Sequence, residues 1–284
     1  MLTRVALGGR SYLLFTPPPG PTPPPLVVVL HGAGGTAEWA DGETGWSATA
    51  AREGFALALP DALPPDPAKP PKFLTNAARW DVGSGGDEDL LDPPDARPDD
   101  LAFLSDVLTD ATRRAGADPR RVSVTGFSNG AAMAFRVAAE LSDRVAAVAP
   151  VAGYCRVPEG FRTARPVPTL YLIGAADPLV PVRGGAVRSP WKHRLVTRRP
   201  VAESLGRWAR ILGCSPGPVE ESDAGGVRTD AYPGPVPFRA VTVEGLGHHW
   251  PGGKGQLNPR VAGPPSAVLN ATAVIWEFVR EYRS

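Results

Sequence analysis

Residues 121–136, RVSVTGFSNGAAMAFR, decide the fold predicted for this chain. Residues 122–125 are rich in β-branched side chains and predict a short strand. The small residues from Asn129 onward predict a helix. Between them lies GFSNG, residues 126–130, a G-x-S-x-G pattern with a strand before it and a helix after it. In that context the pattern is typical of a nucleophilic serine, here Ser128.

The glycines of this pattern explain why the turn suits a reactive serine. Gly126 and Gly130 lack a Cβ atom, so the strand and the helix are able to pack closely around a sharp turn. We expect the turn to hold Ser128 in a strained backbone conformation with its hydroxyl exposed. The first N–H groups of the following helix carry partial positive charge, which favours an oxyanion beside Ser128.

Composition narrows the classes of function. Of the 284 residues, 43% are hydrophobic, which is enough for a sizeable core. The 34 prolines and 32 glycines cluster between periodic segments and predict loops rather than disorder. The formal net charge is +1, and no apolar run approaches the ~20 residues of a membrane span. We therefore expect no nucleic-acid partner and no membrane partner.

Apolar runs along the chain predict strands that alternate with helices. Residues 3–7 and 10–16 are predicted to form a hairpin, and further strands are predicted over residues 26–30, 55–59, 145–151, 168–173, 227–232 and 238–243. Other helices are predicted over residues 44–53, 100–116, 201–212 and 266–282. This order predicts an α/β fold with a mostly parallel central sheet and helices on both faces. We expect one domain over residues 1–284.

Two long segments show little periodicity. Residues 61–98 contain many prolines and the acidic run DEDLLDPPD, and residues 183–200 are basic and irregular. Long connections are uncommon unless they are functional, so both segments are predicted to lie over the candidate site. Trp80, in the first segment, is either a substrate-facing platform or an anchor that packs the segment down.

A glycine-rich turn, His31-Gly32-Ala33-Gly34-Gly35, follows the strand predicted at residues 26–30. A phosphate-binding role is disfavoured, because the turn lacks both the Lys-Ser/Thr of a P-loop and the spacing of a dinucleotide motif. An HG-x-GG turn fits better as the second half of an oxyanion hole. The alternative is a plain tight turn.

Asp177 follows the strand predicted at residues 168–173, at the sheet edge where ligands bind in open α/β folds. It either caps the turn before Pro178 or serves as the acid of a catalytic triad. Its position after Ser128 and before the late histidines favours the catalytic alternative.

Only four histidines are available as a general base for Ser128. His31 belongs to the glycine-rich turn and His193 to the basic segment, so the base is His248 or His249. A neutral imidazole is needed to accept the serine proton, and a carboxylate to fix its tautomer. Adjacent histidines also suggest a metal pair, but no Cys or carboxylate lies at metal-like spacing, so no metal is expected.

Two features leave the compartment open. The N-terminal sequence MLTRVALGGRSYLLF is not a typical signal peptide, because its apolar stretch is short and interrupted by Arg10. The protein is therefore expected to be cytoplasmic, or extracellular if a signal peptide has been removed. Cys155 and Cys214 fit no metal spacing and form either one disulfide or two buried thiols.

Four stretches together carry a resemblance. LHGAGG, VTGFSNGAAMA, GAADPLVP and GLGHHWPGG resemble the polyhydroxybutyrate depolymerase and feruloyl esterase group of α/β-hydrolases, and the resemblance covers about residues 26–253. The Gly-x-Gly-His-x-Trp-Pro-Gly ending is the most specific part. The resemblance implies Ser128 as nucleophile, Asp177 as acid and His248, the first of the two histidines, as base.

The resemblance also implies the rest of the site. The oxyanion donors correspond to the backbone N–H groups of Ala33 and Asn129; many relatives have Cys at the position of Ala33, a change that a backbone donor tolerates. Trp250 corresponds to a tryptophan beside the base and is expected to line the substrate pocket.

The resemblance sets the expected reaction as well. It implies hydrolysis of carboxylic esters through an acyl-enzyme, without a cofactor. The substrates implied are polyhydroxyalkanoates, feruloyl or acetyl esters of polysaccharides, or small acyl esters. Separately from the resemblance, we expect the protein to be a monomer. Two alternatives remain: a serine peptidase on the same fold, and a non-catalytic binding protein, although the latter predicts a lost triad residue and none is lost.

Overall fold

The computed structural model describes residues 1–83, 99–189 and 194–284. Its strands are β1 (Thr3–Leu7), β2 (Arg10–Phe15), β3 (Leu26–Leu30), β4 (Ala56–Pro60), β5 (Val122–Phe127), β6 (Ala147–Val151), β7 (Thr169–Gly174), β8 (Gly185–Arg188), β9 (Leu195–Arg198), β10 (Val219–Ala224), β11 (Val227–Ala231) and β12 (Phe238–Val243). Its helices are α1 (Ala37–Thr44), α2 (Trp46–Glu53), α3 (Asp100–Ala115), α4 (Asn129–Glu140), α5 (Val201–Ile211), α6 (Pro259–Ala262) and α7 (Ala271–Val279).

A ten-stranded sheet with the order β1-β2-β4-β3-β5-β6-β7-β12-β11-β10 organises the fold. The six strands from β4 to β12 in this order run parallel, and the two strands at each edge are antiparallel. The five strands β3 to β7 are buried along their whole length, as expected of strands covered on both faces. The prediction of an α/β fold with a mostly parallel sheet is confirmed.

Alternate residues of each central strand belong to cores on opposite faces of the sheet. On β3, Val28 packs in one core with Val107 of α3 and Met133 of α4. Its neighbour Val29 packs in the other core, which includes residues of α1, α2 and α7 such as Ile275. Helices therefore cover both faces, and the carboxyl ends of the parallel strands carry the loops that hold the candidate site.

The helix predicted over residues 44–53 is wrong in its extent, because two helices occupy this region. α1 begins after Thr36, whose hydroxyl accepts the N–H of Trp39, and ends at Thr44, just before Gly45. Gly45 has φ 70°, a left-handed conformation that glycine adopts without strain and that separates α1 from α2.

Two strand regions were also missed. β10, with the sequence VEESDA, is exposed at every position at the sheet edge, so it lacks the apolar alternation that predicts strands. β8 and β9 form a separate antiparallel hairpin within residues 183–200, which had been expected to be irregular.

Cys155 and Cys214 are both buried and both free thiols, so the disulfide alternative is not formed. Burial raises the pKa of the Cys155 thiol to about 12. The Cys214 thiol donates to the carbonyl of Val236 at 3.7 Å. Among the described residues, none of the helices combines the length and apolar character that a bilayer crossing requires.

Candidate active site

Ser128 occupies the sharp turn between β5 and α4. Its backbone has φ 56° and ψ −113°, an unusual conformation for a residue with a side chain. Its N–H donates to the carbonyl of Val151 at 2.8 Å, which ties the turn to β6. A backbone conformation of this kind costs roughly 1–3 kcal/mol and persists only where its surroundings fix it.

Glycines on both sides of Ser128 are required by close backbone contacts. A Cβ on Gly126 would lie 2.4 Å from the carbonyl oxygen of Gly130, and a Cβ on Gly130 would lie 2.3 Å from that of Leu30. No side chain fits at either position. The turn therefore brings α4 directly against β5 and β3, as the G-x-S-x-G pattern predicts.

A continuous hydrogen-bonded chain links Ser128 to His248 and Asp177. His248 Nε2 lies 2.9 Å from Ser128 Oγ, and His248 Nδ1 lies 2.7 Å from Asp177 Oδ2. An ionised carboxylate only accepts hydrogen bonds, so Nδ1 carries the proton and Nε2 accepts from the serine hydroxyl. His248 and Asp177 are each 3% exposed, so bulk water competes little for these bonds.

Asp177 makes contacts that fit both of the roles considered for it, the turn cap and the partner of a histidine. It lies just beyond β7, and its Oδ1 accepts the N–H groups of Leu179 at 2.8 Å and Val180 at 2.7 Å. Its other oxygen bonds His248. The turn contacts fix the carboxylate in the orientation that the imidazole needs, so turn capping and base orientation occur together.

His249 faces away from this chain of hydrogen bonds. Its Nε2 lies 2.8 Å from the carbonyl oxygen of Gly263, and among the described residues its Nδ1 has no hydrogen-bond partner. A Cβ on Gly247 would lie 2.2 Å from the carbonyl oxygen of Ala262, so the segment before the histidines also requires glycine. The structure therefore places His248, and not His249, against Ser128.

The glycine-rich turn borders Ser128. A Cβ on Gly32 would lie 3.4 Å from the Cβ of Ser128, and Ala33 follows directly. Asn129 is the first residue of α4. Among the described residues, no hydrogen bond involves the backbone N–H of Ala33 or Asn129. Both amides remain available to a ligand at this place.

His31 stabilises the glycine-rich turn through two hydrogen bonds of its imidazole ring. Its Nε2 accepts the N–H of Ala62 at 3.0 Å, so the proton lies on Nδ1, which donates to the carbonyl of Gly32 at 2.7 Å. Burial lowers the pKa of His31 below its ordinary value of 6.5, because the charged imidazolium is poorly solvated there.

The lowered pKa of His31 makes stability depend on pH. Below about pH 6.5 the unfolded chain binds a proton at His31 that the folded protein does not, so this histidine's contribution is complete above that pH and lost as the pH falls. We expect the free energy of unfolding of the wild type to fall more steeply than that of His31→Gln, by up to about 1.4 kcal/mol per pH unit. Urea unfolding from pH 7.5 to pH 5 measures both; parallel curves would contradict it.

Trp80 is 2% exposed and holds the 61–83 part of the long loop against the site. Its Nε1 donates to the carbonyl of His31 at 2.9 Å. Its backbone N–H donates to Asn129 Oδ1 at 2.7 Å, and its carbonyl accepts from Asn129 Nδ2 at 3.2 Å. These contacts support the anchor alternative for Trp80 rather than the substrate-facing one.

A buried ion pair that the sequence analysis missed extends this anchor. Arg10 Nη1 lies 2.6 Å from Asp100 Oδ1, and Asp100 Oδ2 accepts the N–H of Asp81 at 2.5 Å. Burial raises the pKa of Asp100, while the charge of Arg10 opposes that shift. The pair therefore fixes Asp81, the residue after Trp80. Arg10 and Asp100 lie 90 residues apart, so no local sequence pattern indicates the contact.

Trp250 is also buried, with 2% of its surface exposed. Its Nε1 donates to the hydroxyl of Thr272 at 3.0 Å, and that hydroxyl donates to the carbonyl of Thr44 at 2.7 Å. These contacts join α7 to α1, and Trp250 packs in the core. They do not support the prediction that Trp250 contacts substrate.

Two other expectations concern His193 and metals. His193, and residues 84–98 of the first long loop, lie outside the described residues. Within the described ranges, no three or more His, Cys, Asp or Glu side chains are grouped so as to hold a metal ion.

The sheet order, the strand-turn-helix at Ser128 and the Ser-His-Asp contacts are those of the α/β-hydrolase class. The chain belongs to the dienelactone hydrolase family, whose family model matches residues 12–186. It is 32% identical over 289 aligned residues to "Putative esterase NocK" of Nocardia uniformis subsp. tsuyamanensis, covering 95% of this chain and 79% of that protein.

Other esterases match over shorter regions or in structure. Feruloyl esterase B of Piromyces equi is 28% identical over 53% of this chain and 29% of its own length. An acetyl xylan esterase from Aspergillus awamori has a TM-score of 0.59 at 18% identity, over 88% of this chain and 94% of that one, a likeness of fold. The chain is a carboxylic ester hydrolase of the esterase group that the sequence motifs indicated.

Proposed function

We propose that Ser128, His248 and Asp177 form the catalytic triad through which this esterase acts. The observation that carries the proposal is the continuous chain of contacts, 2.9 Å from Ser128 Oγ to His248 Nε2 and 2.7 Å from His248 Nδ1 to Asp177 Oδ2. This arrangement activates a serine hydroxyl, which is otherwise a weak nucleophile.

In the first half-reaction, Ser128 Oγ attacks the ester carbonyl while His248 Nε2 accepts the hydroxyl proton. Asp177 stabilises the imidazolium that forms and holds its Nδ1 proton. The tetrahedral intermediate collapses, the alcohol leaves with the proton from His248, and an acyl group remains on Ser128. Water then attacks the acyl-enzyme with His248 again as base, and the acid is released.

We propose the backbone N–H groups of Ala33 and Asn129 as the oxyanion donors. The glycine-rich turn and the start of α4 adjoin Ser128, and neither amide is engaged by another described residue. Loss of one oxyanion donor typically costs about 100- to 1,000-fold in kcat. A backbone donor does not depend on the side chain at position 33, provided that the turn keeps its shape.

We propose as substrates acetyl and feruloyl esters and short polyhydroxyalkanoate oligomers, cleaved by the monomer without a cofactor. Two relatives support the first two classes by name: Feruloyl esterase B, and the "Bifunctional acetylxylan esterase/xylanase XynS20E" of Neocallimastix patriciarum, which is 23% identical over 60% of this chain and 22% of its own length. The motif resemblance supports the third.

A panel of substrates tests this function: p-nitrophenyl acetate, p-nitrophenyl octanoate, methyl ferulate, a hydroxybutyrate oligomer and a peptide p-nitroanilide. We expect the wild type to hydrolyse esters with kcat/KM within the ordinary enzyme range of about 10⁴–10⁸ M⁻¹s⁻¹ for its best substrate. The anilide should not be cleaved. Cleavage of the anilide alone would indicate a peptidase, and no cleavage of any member would indicate a binding protein.

A further inference from the structure

A short part of the first long loop, which we call the 78–80 segment, is bonded to the glycine-rich turn at two points. The carbonyl of Ala78 accepts the N–H of Gly34 at 2.7 Å. The indole Nε1 of Trp80 donates to the carbonyl of His31 at 2.9 Å. These bonds are made by the first and the fourth residues of the turn, on either side of the residue that carries one proposed oxyanion donor.

The same segment is bonded to the start of α4 through the side chain of Asn129. Its Oδ1 accepts the backbone N–H of Trp80 at 2.7 Å, and its Nδ2 donates to the backbone carbonyl of Trp80 at 3.2 Å. A carboxamide offers an acceptor and a donor side by side, whereas a carboxylate only accepts, so asparagine fits this pairing and aspartate does not. The pairing joins the loop to the residue that carries the second proposed oxyanion donor, the backbone N–H of Asn129.

The 78–80 segment is itself fixed in place. Trp80 is buried, and the next residue, Asp81, is bonded through both its N–H and its carbonyl. The N–H donates to Asp100 Oδ2 at 2.5 Å, and the carbonyl accepts from Arg136 Nη1 at 2.7 Å. Asp100 begins α3 and Arg136 lies on α4, so two helices hold the segment. It therefore forms a rigid connection between the glycine-rich turn and the start of α4.

The two proposed donors lie on separate parts of the chain. Ala33 follows β3, Asn129 follows β5, and these two strands are neighbours in the sheet. Oxyanion donors act at about 2.7–3.1 Å from the oxygen that becomes charged, so their separation must be held closely. Three of the five residues of the turn are glycine, the residue with the greatest backbone freedom. Contacts from outside the turn are therefore needed to hold Ala33, and the 78–80 segment supplies two of them.

We propose that the side chains of Asn129 and Trp80 are positioning groups, which hold the two oxyanion amides at the separation that the tetrahedral intermediate requires. The proposal rests on the proposed function. The donors are backbone N–H groups, so a substitution at Asn129 or Trp80 removes neither donor and alters only where the donors lie. The oxyanion forms only when Ser128 attacks, so the effect is expected in the transition state and not in the binding of substrate.

The experiment measures Asn129→Ala and Trp80→Phe on p-nitrophenyl acetate. We expect each to lower kcat about 10- to 100-fold, as a misplaced donor does, and to change KM less than about 2-fold. Trp208→Phe is the matched control, because it removes a buried indole bond, 2.9 Å to Thr169 Oγ1, at the amino end of β7. It should keep the wild-type kcat. Tm values show which variants fold, and Trp80→Phe, which keeps an aromatic ring, tests the proposal alone if Asn129→Ala does not fold.

A second measurement uses an octyl trifluoromethyl ketone as a probe of the oxyanion position. Ser128 Oγ adds to the ketone carbon while its proton passes to His248, and the ketone oxygen becomes the oxyanion. The inhibition constant should therefore rise in each variant by about the factor by which kcat/KM falls. In the double variant the loss of kcat should be smaller than the product of the two single losses, because either change alone breaks the connection.

Three results would overturn the proposal. One is an unchanged kcat in either folded variant. Another is a loss carried by KM, or an unchanged inhibition constant, because either would place the effect outside the oxyanion position. The third is a double variant whose losses multiply, which would mean two independent effects. Failure of the proposed function is distinguishable, because ester hydrolysis would then survive Ser128→Ala.

Discussion

Replacing Ser128 with alanine is expected to lower kcat for ester hydrolysis by about a million-fold. The proposed mechanism needs the hydroxyl that lies 2.9 Å from His248 Nε2, and loss of the nucleophile of a triad typically costs this much. Alanine keeps the Cβ, so the strained backbone at φ 56° is not relieved and the fold should be unaffected. Steady-state rates on the best ester of the panel measure the change.

The matched control is Ser222→Ala, which removes the same hydroxyl from an exposed position on β10. It should leave kcat and KM at their wild-type values. If Ser128→Ala retains more than about a hundredth of the wild-type kcat while its Tm is unchanged, Ser128 is not the nucleophile.

The paired variants His248→Ala and His249→Ala should separate catalysis from stability. His248→Ala removes the proposed base, which contacts both Ser128 and Asp177, and we expect kcat to fall by about 10⁴- to 10⁶-fold. His249→Ala should keep most of kcat but lose about 1–3 kcal/mol of unfolding free energy, because the carbonyl of Gly263 loses its buried partner. Kinetics and urea unfolding on both variants measure the two effects.

A reversed result would contradict the assignment of the base. Large loss of kcat in His249→Ala with little loss in His248→Ala would mean that the two imidazoles exchange roles in the working enzyme. His249→Gln supplies a further check, since a glutamine amide is able to donate to the Gly263 carbonyl and should recover part of the stability but change no rate.

The sequence predicts those features of the fold and of the candidate site that neighbouring residues determine. The sharp turn at Ser128 is predictable because two glycines, a strand and a helix within ten or so residues all meet the needs of one turn. The strands β3 to β7 were found because a strand buried on both faces must be apolar throughout. The choice of His248 over His249 came from the resemblance, and periodicity alone left it open.

The parts that the sequence did not settle depend on contacts between distant residues. The sequence does not decide whether Trp80 is a platform or an anchor, because its bonds to His31 and Asn129 form only once residues 61–83 pack on the site. Trp250 likewise meets Thr272 across the core. The Arg10–Asp100 pair joins residues 90 positions apart, a separation that no local pattern reveals.

The measurement that tests the central claim most directly is covalent trapping of the nucleophile with a fluorophosphonate. After reaction of the wild type, mass spectrometry should find one phosphonyl group per chain, on Ser128, and esterase activity should fall in proportion to labelling. Ser128→Ala should take up no label. An enzyme that stays active while fully labelled at Ser128, or that loses activity through a label on another residue, would contradict the proposed mechanism.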